Sequence, residues 1–230
     1  GAILTDRVLL TGGSGRLGRH LRRLCPDWIS PTHADFDVLN PEQDYRPTLI
    51  VHAAAYTHLP NAETHDQAAC RELNVEGTRR LMARYPGVPF VFVNTEYALN
   101  PTNHYARTKY EAAQLVRADD RPTFDLYPPF WANPFPHPAA CTDMYTLGDY
   151  VDVMAPKIVG VIEAWSRDSK MVCHLGTGRK TLYNLARRTN PDIQPCRVAD
   201  IKTAKLPADY LGETRTLLFG TEDGEKCRRQ

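Results

Sequence analysis

Short apolar stretches alternate with longer amphipathic segments along most of the chain. The apolar stretches are only a few residues long and rich in β-branched and aromatic side chains, so they predict buried strands at residues 7–11, 28–30, 48–55, 88–94, 123–127 and 171–175. The amphipathic segments predict helices at residues 16–24, 61–85, 105–118, 151–165 and 181–188, the second interrupted near Gly77. This alternation is typical of an α/β fold with a doubly wound parallel sheet and right-handed crossovers.

A glycine-rich turn, TGGSGRLG, joins the first predicted strand to the first predicted helix. It carries Gly12, Gly15 and Gly18. Glycine at these positions permits a tight turn, close approach of the backbone to a pyrophosphate and close packing of helix on strand. The N-terminus of the helix then offers unpaired N–H groups to the phosphates. Because the turn lies between a strand and a helix near the N-terminus, we predict a Rossmann-type domain that binds a nicotinamide dinucleotide.

The end of the second predicted strand bears on the choice of dinucleotide. NAD sites place an acid here, where it accepts a hydrogen bond from the ribose 2′-OH. This chain has Thr32 and His33 instead. Arg16 and His33 suit a 2′-phosphate, whereas Asp35 and Asp37 follow closely enough to leave the other cofactor open. We therefore expect NADP(H) to be favoured, with NAD(H) as the alternative.

Three residues suggest acid–base chemistry on a carbonyl group. Tyr105 and Lys109 are four positions apart on a predicted helix and so share one face. A neighbouring ammonium favours the phenolate, and we expect Lys109 to bring the pKa of Tyr105 towards the working range. Thr95 follows the strand predicted at residues 88–94, where its hydroxyl can orient a substrate oxygen. We predict these three as the catalytic residues.

Beyond residue 127 the alternation of strand and helix breaks down. Residues 128–138 hold five prolines, which predicts a stiff loop that either lines a ligand cleft or packs on the surface. We expect residues 1–127 to form the dinucleotide-binding domain. Residues 128–230 would form a short substrate-binding region, interleaved with the last strand and helices of the same domain. The polar tail beyond Gly220 is predicted to fray.

Composition excludes several classes of partner. The 230 residues include 28 basic and 27 acidic side chains, a formal charge of +1, which argues against a nucleic-acid or membrane-surface partner. No stretch reaches the roughly 18 apolar residues of a membrane span. Polar residues at positions 5–7 predict the absence of a signal peptide, so we expect a cytoplasmic location.

The six cysteines and eight histidines show no close pairing along the chain. Scattered cysteines of this kind predict reduced, mostly buried thiols. The histidines lack paired ligand spacing, so we predict no metal site.

Several motifs together resemble the dTDP-4-dehydrorhamnose reductase family, within the extended short-chain dehydrogenases/reductases. The motifs are TGGSGRLG, DFDVLNPE, VHAAAYTHLPNAE, LNVEGT, NTEYAL and YARTK. The resemblance implies a cofactor site formed by Gly12, Gly15, Arg16, Leu17, Gly18, Thr32, His33, Asp37, Val38, Ala53, Ala54, Ala55, Asn74 and Lys109. The resemblance and the position of the aromatic residues together predict a substrate site formed by Tyr56, Thr57, Glu96, Phe130, Trp131 and Tyr145. Of these, we expect Phe130, Trp131 and Tyr145 to close a small apolar pocket near the nicotinamide.

The resemblance implies a reductase that transfers hydride from NAD(P)H to the C4 keto group of a nucleotide sugar, with Tyr105 as proton donor. Two alternatives stay open. One is a sugar-nucleotide epimerase or dehydratase of the same fold, and the other is a non-catalytic regulatory subunit that binds the dinucleotide. A homodimer is compatible with all three.

Overall fold

The computed structural model describes residues 6–202, 206 and 226–230. In this part of the chain the strands are β1 (Val8–Thr11), β2 (Leu49–His52), β3 (Phe90–Val93), β4 (Thr123–Tyr127), β5 (Phe130–Trp131), β6 (Ala139–Cys141), β7 (Tyr145–Thr146), β8 (Asp149–Tyr150), β9 (Met171–His174), β10 (Lys180–Thr181), β11 (Gln194–Cys196) and β12 (Lys226–Arg229). The α-helices are α1 (Arg16–Leu24), α2 (Leu59–Thr64), α3 (Gln67–Arg71), α4 (Gly77–Arg84), α5 (His104–Ala118), α6 (Val151–Ala164) and α7 (Leu182–Arg187). A π-helix spans Glu72–Glu76, and 3₁₀-helices span Glu96–Leu99 and Val198–Asp200.

The main sheet confirms the predicted α/β class. Its strand order is β1–β2–β3–β4–β9–β12. The first five strands are parallel, and β12 pairs antiparallel with β9. The predicted strand at residues 28–30 is reduced to a single parallel bridge between Ile29 and Leu9 beside β1. Pro31 follows, and its missing N–H cannot extend the ladder.

Alternate side chains of the sheet serve two helical layers. Val8 and Leu10 pack with α1 and α6, whereas Leu9 between them packs with α4 and α5. The strands β2 and β3 divide in the same way between the two layers. Because successive side chains of a strand point to opposite faces, a sheet covered on both sides needs apolar residues at every position. The uninterrupted apolar runs of the sequence have this cause.

Three predicted boundaries differ from the structure. The helix expected at residues 61–85 is divided into α2, α3, the π-helix and α4. The strand expected to be the last, at residues 171–175, is followed by β12. The prediction of a frayed tail beyond Gly220 is therefore wrong for Lys226–Arg229, which pair with β9, and residues 221–225 lie outside the described residues. An exposed edge strand leaves no apolar pattern in the sequence, and Cys227, Arg228 and Arg229 are all exposed.

The expectation of reduced thiols throughout is also wrong. Cys173 and Cys227 face each other across β9 and β12 and form a disulfide. Cys141 and Cys196 face each other across β6 and β11, with their Sγ atoms 3.4 Å apart and not bonded covalently. The two cysteines of each pair are far apart in the sequence and meet only through strand pairing. Their spacing in the sequence therefore does not predict that they are neighbours.

Residues after β4 add a small second layer of structure. The pairs β5–β8, β6–β11 and β7–β10 are two-stranded and enclose their own apolar cluster, which includes Phe135, Met144, Tyr150 and Leu185. No helix in the described part of the chain is long and apolar enough to cross a membrane. No cluster of histidine, cysteine or acidic side chains among the described residues could hold a metal ion.

Candidate active site

The glycine turn after β1 is packed so tightly that a Cβ atom on Gly12 or Gly18 would collide with backbone atoms. Gly12 has a φ of +74°, and a Cβ atom on it would lie 2.6 Å from the Ala54 nitrogen and 2.7 Å from the Ala53 carbonyl carbon. A Cβ atom on Gly18 would lie 2.0 Å from the Gly12 carbonyl oxygen. The turn is held between the end of β2 and the first turn of α1, as binding of a pyrophosphate requires.

The N-terminus of α1 faces solvent beside this turn. Ser14, Gly15 and Arg16 are exposed. Gly15 is the N-cap and has no side chain to satisfy the first N–H groups of the helix, which stay accessible to a ligand. Leu17 is buried in the core beside α6, so only its backbone is available to a phosphate.

The residues expected around the adenosine half differ in accessibility. Thr32 and His33 are exposed, and the Thr32 hydroxyl donates to Asp35 Oδ2 at 2.8 Å. Asp37 is half-buried, and its Oδ1 accepts a backbone N–H at 2.9 Å. Val38 is only 5% exposed and packs in the core against the α4–α5 layer. The expectation of an adenine contact therefore fails for the Val38 side chain, because core packing takes it.

A buried chain of hydrogen bonds lies behind the half-buried Ala53–Ala55 segment. The Ala54 N–H donates to Thr11 Oγ1 (3.2 Å), which pairs with His52 Nδ1 (2.7 Å). His52 Nε2 lies 3.0 Å from Thr78 Oγ1, and the Thr78 hydroxyl donates to the Asn74 carbonyl (2.7 Å). These bonds are all satisfied by a neutral imidazole that carries its proton on Nε2. Burial lowers the pKa of His52 to about 3, which keeps it neutral.

The three predicted catalytic residues meet at the C-terminal end of β3. A side-chain hydrogen bond joins Thr95 to Tyr105. Lys109 Nζ donates to the Val93 carbonyl at 2.9 Å and lies 4.3 Å from the centre of the Phe92 ring. Tyr105 and Lys109 are both buried on the inner face of α5. The C-terminal end of β3 and the helix α5 thus bring together side chains that are up to fourteen positions apart in the sequence.

The electrostatics of this group differ from the sequence-based expectation. Burial raises the pKa of Tyr105, and the hydrogen bond from Thr95 offsets the increase only in part. Burial lowers the pKa of Lys109 to about 8, against an opposing contribution from Asp125. The expectation that Lys109 depresses the pKa of Tyr105 is therefore wrong, because desolvation dominates.

Asn74 is a buried residue that connects two elements next to the site. It lies in the π-helix and is 2% exposed. Its Oδ1 accepts the Tyr56 N–H at 2.7 Å, and its Nδ2 donates to Thr108 Oγ1 at 3.0 Å. Asn74 therefore connects the loop after β2 to α5, and its place in the cofactor site stays a prediction. A π-turn at this point fits the frequent location of such turns at functional sites.

Glu96, expected to bind substrate, is also an internal residue. Its carboxylate accepts the Thr146 hydroxyl at 2.7 Å and the Leu147 N–H at 3.0 Å. His174 Nε2 lies 3.1 Å from the same carboxylate. Glu96 is only 2% exposed. Its hydrogen bonds join the residues after β3 to β7 and to the end of β9. The resemblance implied a substrate role for Glu96, whereas its carboxylate is occupied by hydrogen bonds within the protein.

The expected substrate residue Tyr56 packs against the same apolar cluster as Tyr105. The Tyr56 hydroxyl donates to Asp66 at 2.5 Å, and Thr57 next to it is exposed. Trp131 and Tyr97 both pack against the apolar cluster that includes Phe135 and Tyr150. Tyr97 in turn stacks edge-on against Tyr105 with ring centres 6.3 Å apart.

The other two aromatic residues have different surroundings. Phe130 packs against the core of the α1–α6 layer, and Tyr145 lies beneath the Arg179 guanidinium at 4.1 Å. An apolar pocket of all three aromatic residues stays a prediction.

The sequence reasoning missed one polar network beneath the site. Asp125 is fully buried in β4 and binds Asn94 Nδ2 at 3.0 Å and the Arg117 guanidinium. The Asn94 Oδ1 accepts the Thr95 N–H at 2.8 Å, which fixes the backbone of Thr95. The signal was present, because a carboxylate in the middle of the apolar strand TFDLY needs a buried partner.

Residues 6–124 match the model of the RmlD substrate binding domain. The chain belongs to this family. This confirms the resemblance to the dTDP-4-dehydrorhamnose reductase group of extended short-chain dehydrogenases/reductases.

The curated relatives of this RmlD-family chain are nucleotide-sugar enzymes. It is 32% identical over 139 residues to the dTDP-4-keto-6-deoxy-D-glucose reductase of Streptomyces niveus, covering 49% of this chain and 48% of the relative. It is 36% identical over 137 residues to the probable dTDP-4,6-dihydroxy-2-methyloxan-3-one 4-ketoreductase of Streptomyces antibioticus, covering 48% of this chain and 46% of the relative. The chain thus spans about half the length of the curated relatives it matches.

Solved structures share the fold of this RmlD-family chain. The dTDP-4-dehydrorhamnose reductase of Bacillus anthracis in complex with NADP has a TM-score of 0.77 at 20% identity, over 90% of both chains. Bordetella bronchiseptica WbmH in complex with NAD+ has a TM-score of 0.61 at 16% identity, over 84% of this chain and 86% of WbmH. At these identities the likeness establishes the fold alone.

Proposed function

We propose that this chain is an NAD(P)H-dependent oxidoreductase that reduces the C4 keto group of a nucleotide sugar. The observation that carries the proposal is the meeting of Thr95, Tyr105 and Lys109 at the end of β3, in a sheet whose first turn is shaped for a pyrophosphate. The reductase names of the curated relatives support the substrate class.

The residues around the glycine turn fit a nicotinamide dinucleotide. The exposed N–H groups at the start of α1 would hold the pyrophosphate, since Gly12 leaves no Cβ in its way. The backbone of Ala53–Ala55 would lie along the dinucleotide, at a position fixed by the bond from Ala54 to Thr11. When bound, NAD(P)H supplies the hydride for the carbonyl carbon.

Tyr105 would supply the proton that the reduced oxygen needs. Its raised pKa keeps the phenol protonated at neutral pH, as a proton donor must be. Thr95 would hydrogen-bond the same oxygen and hold it near the phenol. Lys109 has a pKa of about 8, so its ammonium is mostly charged at pH 7 and would stabilise the phenolate left behind.

The test is NADPH oxidation by the purified chain with a dTDP-linked 4-keto-6-deoxy sugar. Tyr105→Phe should reduce kcat by 10²-fold or more, the usual contribution of a positioned acid. Tyr110→Phe is the matched control, because Tyr110 lies on the same helix but is 42% exposed. Equal turnover by wild type and Tyr105→Phe would contradict the proposal.

The same assay separates the alternatives. An epimerase or dehydratase would convert the nucleotide sugar with no net consumption of NADPH. A regulatory subunit would bind the dinucleotide and turn over nothing. Either result, obtained with protein shown to bind NADPH, would overturn the reductase.

A further inference from the structure

Cys141 and Cys196 are two free thiols that face each other across neighbouring strands. They are register partners in the parallel pair β6–β11, and their Sγ atoms lie 3.4 Å apart without a covalent bond. Paired strands are about 4.7–4.9 Å apart, which lies within the Cα–Cα range of about 4.4–6.8 Å that a disulfide spans. The backbone therefore already holds the two thiols at a separation that suits a disulfide. The proposed reduction uses neither of them.

Contacts directly after the two cysteines hold this register. The Thr142 N–H donates to the Cys196 carbonyl at 2.9 Å. One oxygen of Asp143 accepts the Val198 N–H at 2.9 Å, and the other lies 3.1 Å from Arg197 Nε. A slip of one residue would break these bonds and turn one thiol to the opposite face of its strand. The two sulfur atoms are therefore neighbours by construction of the strand pair.

The two thiols differ in their access to solvent. Cys141 is 3% exposed, whereas Cys196 is half-buried and ends a strand whose other two residues are exposed. Burial, together with the contact with Cys196, raises the pKa of Cys141 to about 12, so this thiol stays protonated at neutral pH. An oxidant in solution therefore reacts at Cys196, and Cys141 is placed to react with the product.

The apolar surroundings of the pair favour a disulfide over further oxidation of one sulfur atom. Cys141 belongs to the cluster that includes Phe135, Met144 and Tyr150, and Cys196 packs against this cluster. A sulfinate on either sulfur would place an anion against apolar side chains, which is unfavourable. A disulfide carries no charge and leaves both sulfur atoms in contact with the cluster.

We propose that Cys141 and Cys196 form a modification site at which a hydroperoxide produces a reversible disulfide between β6 and β11. Hydrogen peroxide, the simplest hydroperoxide, oxidises the Cys196 thiol to a sulfenic acid and is itself reduced to water. The Cys141 sulfur then attacks the Cys196 sulfur, so that an S–S bond forms and the S–O bond breaks. The hydroxyl group leaves with the Cys141 proton as a second water. The two thiols together lose two electrons and two protons, and a dithiol reductant reverses the reaction.

Treatment of the purified full chain with a small excess of hydrogen peroxide tests the proposal. A thiol reagent added to the denatured protein should count four thiols before treatment and two after it. Peptide mapping without reduction should join the Cys141 peptide to the Cys196 peptide, and dithiothreitol should separate them. The melting temperature should rise by roughly 5–15 °C, because the bond links residues 55 positions apart and restricts the unfolded chain.

Variants of single cysteines provide the controls. Cys196→Ser should abolish the joined peptides and the rise in melting temperature. Cys141→Ser should instead leave a sulfenic acid on Cys196 that dimedone traps, because the second thiol is gone. Cys25→Ser is the matched control, since Cys25 is half-buried like Cys196 but belongs to neither strand pair, and it should still lose two thiols. Circular dichroism of each reduced variant shows that it is folded.

Three results would overturn the inference. One is a sulfinate on Cys196 while Cys141 still reacts with the thiol reagent. Another is a disulfide that joins Cys196 to a second chain, or that contains Cys25 or Cys70 in place of Cys141. The third is a melting temperature that peroxide leaves unchanged in the wild type although the thiol count falls by two. None of these outcomes depends on the reductase activity, so the proposed function stands or fails separately.

Discussion

Replacing Lys109 by methionine should change how the stability of the protein depends on pH. Lys109 is 4% exposed, and burial lowers its pKa from 10.5 to about 8. At 1.36 kcal/mol per pKa unit, keeping this ammonium buried costs about 3 kcal/mol. The hydrogen bond to Val93 and the contact with Phe92 return part of this cost and are lost in the variant.

The direction of the change in unfolding free energy with pH depends on whether the folded or the unfolded chain binds the Lys109 proton more tightly. Below pH 8 the folded and unfolded chains both carry it, so the cost of burial is fully present. Between pH 8 and 10.5 the unfolded chain binds more protons, and the unfolding free energy of the wild type therefore rises with pH relative to Lys109→Met. From pH 7.5 to 9.5 the difference between the two proteins should change by about 2 kcal/mol in favour of the wild type.

Urea denaturation of both proteins at pH 7.5, 8.5 and 9.5 measures this difference. Tyrosines and other surface groups titrate in both proteins and largely cancel. Cys70 interacts with Lys109, and burial raises its thiol pKa, so the pair of curves should be repeated in a Cys70→Ser background. A difference that stays constant across this pH range would refute the assignment of a buried, desolvated lysine.

Three further predictions concern the framework of the site. Gly18→Ala should destabilise the protein by more than about 1 kcal/mol in urea denaturation, because its Cβ atom would collide with the turn. Gly160→Ala is the control and should stabilise the protein by about 0.5–1 kcal/mol, because no atom lies within 4 Å of the added Cβ. Equal effects of the two substitutions would contradict the packing argument. Asp125→Asn should cost about 3–5 kcal/mol by leaving the Arg117 charge without its partner, and a loss below 1 kcal/mol would contradict this. Stability should fall as pH decreases from 6.5 towards 3, because the unfolded chain protonates His52 and the folded chain does not; a His52→Asn variant with the same acid slope would refute that origin.

The main features of the fold were readable from the sequence because they depend on local patterns. Apolar runs of strand length between amphipathic segments predicted the parallel sheet and both helical layers. The glycine spacing of the turn encodes a close approach that the structure shows at Gly12 and Gly18. The four-residue spacing of Tyr105 and Lys109 places both on one helical face.

Tertiary structure decided which polar groups are internal and which are accessible. Asn74 accepts a hydrogen bond from the Tyr56 N–H, and Glu96 accepts one from the Leu147 N–H. The residues next to Asn74 and Glu96 in the sequence do not predict these bonds, because each bond joins two separate elements. The pairing of Cys173 with Cys227 depends on a polar edge strand in the same way. Hydrophobic periodicity predicts on which face of an element a side chain lies. The hydrogen-bond partners and the desolvation of that side chain depend on which other elements pack against the face. For the same reason the raised pKa of Tyr105 could not be predicted from its spacing to Lys109, because burial outweighs the neighbouring charge.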